Sequence, residues 1–410
     1  MKALQVERSL PRFAAARVAG ALAPGRGARV GPLRLADIDA PALPGPGWQR
    51  VRPRLAGICG SNLATVDGHA SPWFEPVVSF PFVPGHEVVG DLDDGRRVVI
   101  EPVLGCATRG IDPPCPACAE GDLSRCRNIA FGHLQPGLQT GYCCDTGGGW
   151  SLALVAHDSQ LHAVPDAMSD EAAVMVEPAA CALRGALKAE AGRGGTVVVV
   201  GAGTLGLCAV AALHRHVAPS RLLVGAKHPE QRRLARELGA TDVVAPSTLA
   251  RSVRRATGSL ALGRSGDDAS PPAHPGGTTP AMQLTGGADV VVDCVGSAAS
   301  LTQALGIVRP GGRIVMVGMP GSLTVDLTPL WQREVELVGA YAYGFEPGPG
   351  RRTFDLAFEL VAEAGLDRLV SATYPLARHV AALAHAAEAG SRGAVKIAFD
   401  LRNEKERDRL

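Results

Sequence analysis

The 410-residue chain has no surplus of either charge, since 41 lysines and arginines against 40 aspartates and glutamates leave a formal net charge of +1. No global field draws in nucleic acid or an anionic membrane surface, so neither is expected as a partner. Long apolar runs are also missing. Val197 to Val200 and Val290 to Val292 have the length of buried strands, far short of a bilayer. A spread disulfide framework is absent as well: of ten cysteines, four crowd into one short stretch. That spacing suits a metal and a reducing cytoplasm. The apolar segment Phe13 to Ala23 superficially resembles an export leader. Arg17 breaks its centre and Glu7 sits where a leader avoids acid, so a cytoplasmic protein is expected. The length suits two domains.

What is present centres on Thr196-Val-Val-Val-Val-Gly-Ala-Gly-Thr-Leu-Gly206, followed by the helix-compatible Leu207 to Leu213. A β-branched run opening into Gly201-x-Gly203-x-x-Gly206 predicts a buried parallel strand turning into a helix N-terminus. Gly201 permits the turn, Gly203 lets a pyrophosphate approach the backbone past Thr204 and Leu205, and Gly206 lets helix and strand pack closely. The pattern predicts a dinucleotide site. Further strands are expected at Arg221 to Gly225, Ala288 to Gly296 and Gly312 to Gly318, as a doubly wound parallel sheet requires.

Residues 1–58 read as a β-rich opening of short strands and Pro/Gly turns. It leads into Gly57-Ile-Cys-Gly-Ser-Asn62 and then Pro84-Gly-His-Glu-Val-Val-Gly90. Cys59, His86 and Glu87 supply thiol, imidazole and carboxylate, the donor types that zinc takes. These two stretches resemble the Gly-x-Cys-Gly-[Ser/Thr]-Asp and Pro-Gly-His-Glu motifs of the medium-chain, zinc-dependent alcohol dehydrogenase superfamily, and the likeness runs along most of the chain. The resemblance implies a catalytic zinc held by Cys59 and His86, with Glu87 able to enter or leave the metal shell. Val174-Met-Val-Glu-Pro-Ala-Ala-Cys181 resembles the Glu-Pro stretch of polyol- and threonine-dehydrogenase-like members, which puts Glu177 at the remaining ligand position. Ser61 matches the proton-relay hydroxyl. The family's aspartate is replaced by Asn62, so the carboxylate expected to orient the zinc histidine becomes an amide. The relay histidine's position falls at Ala64, and His69 nearby is unmatched.

Cys106-x8-Cys115-x2-Cys118-x7-Cys126 can close a tetrahedral shell on one ion, and it resembles the family's structural-zinc lobe. The family's first cysteine would fall at Asp112, which leaves Cys106 or Asp112 as the fourth donor. Beyond the glycine turn, the position of the acid that normally holds a free ribose 2′-hydroxyl is Ala226. Lys227 and Arg232 offer positive charge there, which favours NADP over NAD. Residues 246–280 read as a flexible insertion, Phe354 to Ala364 as an amphipathic helix and Asn403 to Leu410 as a frayed tail.

The expected architecture is a β-rich GroES-like catalytic domain over residues 1–178, a Rossmann domain with a doubly wound parallel sheet over 179–340, and a return to the first domain over 341–410. The expected activity is interconversion of an alcohol and a carbonyl compound by hydride transfer with NADP(H), using one catalytic and one structural zinc at an active site between the domains. The partner is a small-molecule substrate, and the resemblance implies a homodimer or homotetramer. A zinc-free quinone or enoyl reductase and a non-catalytic nucleotide sensor are the competing readings.

Overall fold

A computed structural model describes residues 1–192, 194–262 and 283–403. Two compact units emerge: one comprises Met1–Ala180 and the chain from Ala342 onward, the other Cys181–Tyr341. In the first, a mixed sheet runs Val370–Tyr374, Lys396–Asp400, Trp48–Gly57, Val88–Leu92, Arg97–Ile100 and Leu161–Ala163, with Leu154–His157 paired to Trp48–Gly57. All its pairings are antiparallel except that of the two C-terminal strands. Alternating apolar residues bury one face against Leu4, Phe82, Trp150 and Phe399, each almost fully enclosed.

The second unit is a six-stranded parallel sheet in the order Asp242–Val244, Arg221–Gly225, Thr196–Val200, Ala288–Asp293, Val308–Met316, Glu336–Gly339. This is the doubly wound arrangement, with the first strand central and the order reversing beside it. Val197, Val198 and Val199 have no exposure at all, as a strand covered on both faces demands.

Two sequence expectations fail here. The opening is not wholly β-rich: Leu10–Leu22 forms a helix, α1, burying Ala16 and Gly20. Its alanine-rich run has high helix propensity, and Pro11 falls in the first turn, where a missing N–H costs nothing. Nor is the whole of 246–280 irregular. Pro246–Thr257 is a helix that buries Leu249 and Val253 and ends on Gly258 in the left-handed conformation. Ala261–Leu262 then pairs with Gln283–Leu284. The remainder of the expected insertion, from 263, and the tail beyond 403 lie outside the described residues. No helix among the described residues is long and apolar enough to cross a membrane.

Candidate functional site

Cys59 ends the turn after the strand Trp48–Gly57 and caps a short helix, α2 (Gly60–Val66). His86 and Glu87 sit on the extended approach to the strand Val88–Leu92, which pairs with Trp48–Gly57, so sheet register brings the two motifs together. One ligand atom from each of Cys59, His86 and Glu87 lies within 4.8 Å of the others. His86 and Glu87 are buried. Nδ1 of His86 is enclosed without a hydrogen-bond partner, a costly state for an imidazole unless something else occupies the site. A half-buried sulfur beside a buried nitrogen and oxygen, in a set of this size, fits zinc.

Glu177, near the start of the helix α3 (Val176–Leu187), is not part of that compact trio. Its Oε1 accepts a hydrogen bond from the Tyr343 hydroxyl at 3.1 Å. It remains close enough to feel the trio's charges. Burial, with Glu87 and Cys59 adding repulsion and His86 and Lys396 opposing it, pushes its carboxyl up to about 7. Burial and the Glu87 carboxylate likewise raise the Cys59 thiol, which Lys396 and Ser61 partly offset. Glu87 forms a buried ion pair with Lys396, whose Nζ also reaches the Ile58 carbonyl at 3.4 Å. Burial alone would lower the lysine's pKa, but Glu87 and Cys59 raise it overall.

The expectation for Asn62 fails in part. Its Oδ1 accepts from the Cys59 backbone N–H at 3.2 Å and its Nδ2 donates to the Tyr142 hydroxyl at 3.4 Å, so its amide is committed away from His86. Tyr142 takes up the space beside the histidine instead, its ring centroid 6.1 Å from that of His86. Burial raises the Tyr142 phenol as it does the Cys59 thiol, and Ser61 acts to lower both.

Cys106, Cys115, Cys118 and Cys126 also bring their sulfurs within 4.8 Å of one another, which selects Cys106 over Asp112. Backbone and amide N–H groups point at the sulfurs: Cys115 N and Asn128 Nδ2 to Cys106 at 3.3 and 3.2 Å, and Asn128 N to Cys126 at 3.3 Å. Burial raises the Cys115 thiol, yet the N–H groups of Arg127 and Cys118 hold it down to about 6. Fully buried Arg109 ties this lobe together by donating to the carbonyls of Leu104, Phe131 and Gly137 at 2.7–3.1 Å.

In the parallel-sheet unit, Gly201 has φ +91°, and a Cβ at Gly206 would overlap the Gly201 carbonyl. Among the described residues, and its chain neighbours apart, nothing lies within 4 Å of the Cβ position of Gly203, which caps the helix α4 (Thr204–Ala212). Thr204 and Leu205 form its half-buried first turn. The open glycine before a helix N-terminus leaves room for a pyrophosphate. At the end of the neighbouring strand, Ala226 is buried and Lys227 exposed. Arg232 donates to the carbonyls of Ala226 and Lys227, both at 2.9 Å, so it shapes that turn as well as adding charge.

Sequence reasoning missed Lys396, Tyr343, Tyr142 and Arg109. Only Lys396 left a trace, as one cation in the otherwise apolar Val395-Lys-Ile-Ala-Phe399.

Two family models match the chain: an alcohol dehydrogenase GroES-like domain over residues 45–166 and a zinc-binding dehydrogenase over 204–363. L-idonate 5-dehydrogenase of Vitis vinifera is 27% identical over 382 residues, covering 90% of this chain and 92% of its own. Sorbitol dehydrogenase of Arabidopsis thaliana is 28% identical over 386 residues, covering 90% and 92%. Among solved structures, a short chain alcohol dehydrogenase from E. coli CFT073 complexed with NADH superimposes with TM-score 0.69 at 21% identity, covering 98% of this chain and 99% of that one. At that identity the likeness bears on the fold alone.

Proposed function

The chain belongs to the zinc-dependent medium-chain alcohol dehydrogenase superfamily, an oxidoreductase acting on CH–OH groups, and from that premise we propose that it interconverts a polyol, sugar alcohol or amino alcohol and its carbonyl counterpart with NADP(H). The observation that carries this reading is the donor set of half-buried Cys59 with buried His86 and Glu87, whose histidine nitrogen has no hydrogen-bond partner among the described residues. Cys59 and His86 would hold the catalytic zinc, with Glu87 and Glu177 as the available carboxylates, and the four cysteines would hold a second zinc that supports the lobe. When bound, the catalytic ion supplies Lewis acidity toward the substrate oxygen, and the nicotinamide supplies or accepts hydride.

The chain's own residues have separable tasks in this scheme. Ser61, in the helix that Cys59 caps, is the hydroxyl suited to passing the substrate proton. Lys396 neutralises Glu87 and so limits the negative charge around the metal donors. The open Gly203 and the helix behind it receive the pyrophosphate. Exposed Lys227 favours a 2′-phosphate, while buried Ala226 offers no acceptor to a ribose hydroxyl. The substrate class is supported by the sorbitol and idonate dehydrogenases among the relatives. Zinc-loaded protein should reduce NADP in the presence of at least one member of a polyol, sugar-alcohol and amino-alcohol panel, and do so less well with NAD. Absence of turnover with any member, in either direction, overturns the proposal.

A further inference from the structure

We propose that the four-cysteine lobe positions the catalytic carboxylate Glu177 through a strut formed by Tyr343, Gly344 and Phe345, so that the lobe and the Cys59–His86 centre are energetically coupled. The proposal rests on the reading of both clusters as metal sites. Its geometry is continuous through packed groups. At one end, the Tyr343 hydroxyl donates to Glu177 Oε1 at 3.1 Å, and the tyrosine is fully buried with its ring edge-to-face on Phe354, centroids 4.7 Å apart. At the other end, the Phe345 N–H donates to the Gly121 carbonyl at 3.0 Å. Gly344 lies so close to the lobe that a Cβ there would come within 3.0 Å of Asp122 Cα, Asp122 Oδ1 and the Gly121 carbonyl.

Gly121 and Asp122 belong to the metal-binding loop itself. Their N–H groups donate to the carbonyls of Cys118 at 3.1 Å and Ala117 at 2.8 Å, and Asp122 Oδ1 accepts from Ser124 Oγ at 2.7 Å on the way to Cys126. Thr353 clamps the strut from its far side. It accepts from the Gly344 N–H at 3.0 Å, and its own N–H donates to the Gly344 carbonyl at 2.8 Å. The strut therefore has no slack between lobe and clamp, and a displacement of the lobe loop is passed to the Tyr343 phenol rather than absorbed. Tyr343 and Gly344 are positioning residues on this account. They act on the reaction through Glu177.

The test is a double-mutant cycle in the full-length chain, reading cobalt affinity at the Cys59–His86 centre by chelator competition. The thiolate-to-cobalt absorption that remains in a Cys59→Ala background comes from the four cysteines alone and reports separately that the lobe stays loaded. Tyr343→Phe should weaken binding by about 10-fold, the lower end of what loss of an outer hydrogen bond costs a metal site. Gly344→Ala, which presses on Asp122, should weaken it by a similar factor with the lobe absorption intact, and shift the cobalt d–d bands of the centre. The double variant should be no weaker than Tyr343→Phe, because both act through one hydrogen bond. Should Gly344→Ala fail to fold, Asp122→Ala replaces it in the cycle with the same expectation. Fold-changes that multiply in the double variant, or a Gly344→Ala protein that binds cobalt as the wild type does, overturn the coupling alone. A wild-type centre that takes up no cobalt overturns the functional reading, and the coupling with it.

Discussion

At the scale of single residues, the environment of Glu87 shows how tightly the candidate site is built. A Cβ at Gly57 would overlap Glu87 Oε2 and approach Lys396 Cε at 2.8 Å, so the glycine of the first motif makes the space in which the second motif's carboxylate meets its lysine. Gly57→Ala should cost about 1–3 kcal/mol of stability, as overpacking does, and an unchanged urea midpoint contradicts that role. Lys396→Met should be worse in zinc-stripped protein, about 3–5 kcal/mol, because it leaves a buried carboxylate unpaired. The same urea titration reads it. These partners show which residues the sequence could reveal. Cys59, His86 and Glu87 were legible because local motifs carry them, whereas Lys396 and Tyr343 meet the site from more than 160 residues away and carry no spacing signal. The role expected for Asn62 came from its motif position alone. A local capping bond from the Cys59 N–H and a long-range contact with the Tyr142 hydroxyl took up its amide instead.

At the scale of elements, the start of the chain segment bearing Glu177 is anchored by charge. Ser169 caps the short helix Asp170–Ala173 by accepting from the Ala172 N–H at 3.1 Å, and Asp170 receives Arg54 at 2.8 Å, Arg97 at 3.0 Å and Arg402 at 3.3 Å. Burial alone would raise the Asp170 carboxyl, but Arg54 and Arg97 hold it below the usual carboxylate range. A depressed acid contributes stability above its unfolded pKa and loses it as pH falls through the folded one. Asp170→Asn should therefore destabilise by about 2–3 kcal/mol at neutral pH, with the difference from wild type shrinking below about pH 4. A difference constant across that range contradicts the ion-pair account. Helices were the less legible elements. The buried β-branched strands announced themselves by composition, but α1 is alanine-rich with two buried residues, Ala16 and Gly20, and so lacks an apolar stripe to distinguish it from a turn-rich opening. The helix Pro246–Thr257 was hidden in the same way by its arginines, which face solvent or lie half-buried around Leu249 and Val253.

At the scale of the whole molecule, the fold was legible because two period patterns and two glycine-bearing motifs all agree, while the C-terminal chain reaches the candidate site through long-range pairing between Lys396–Asp400 and Trp48–Gly57. The charge at the end of the second parallel strand gives the cofactor prediction. NADP should bind more tightly than NAD, and Ala226→Asp combined with Lys227→Ala should reverse the order by setting a carboxylate against the 2′-phosphate. Equal affinities in the unmodified protein, measured by fluorescence titration, contradict it. The two donor sets, Cys59 with His86 and Glu87 and the four cysteines of the lobe, are separate clusters, so the proposed function requires two distinct metal ions. Elemental analysis of purified wild type and Cys59→Ala should find two zinc ions per chain falling to one, and equal zinc content in the two proteins contradicts a metal at Cys59 and His86.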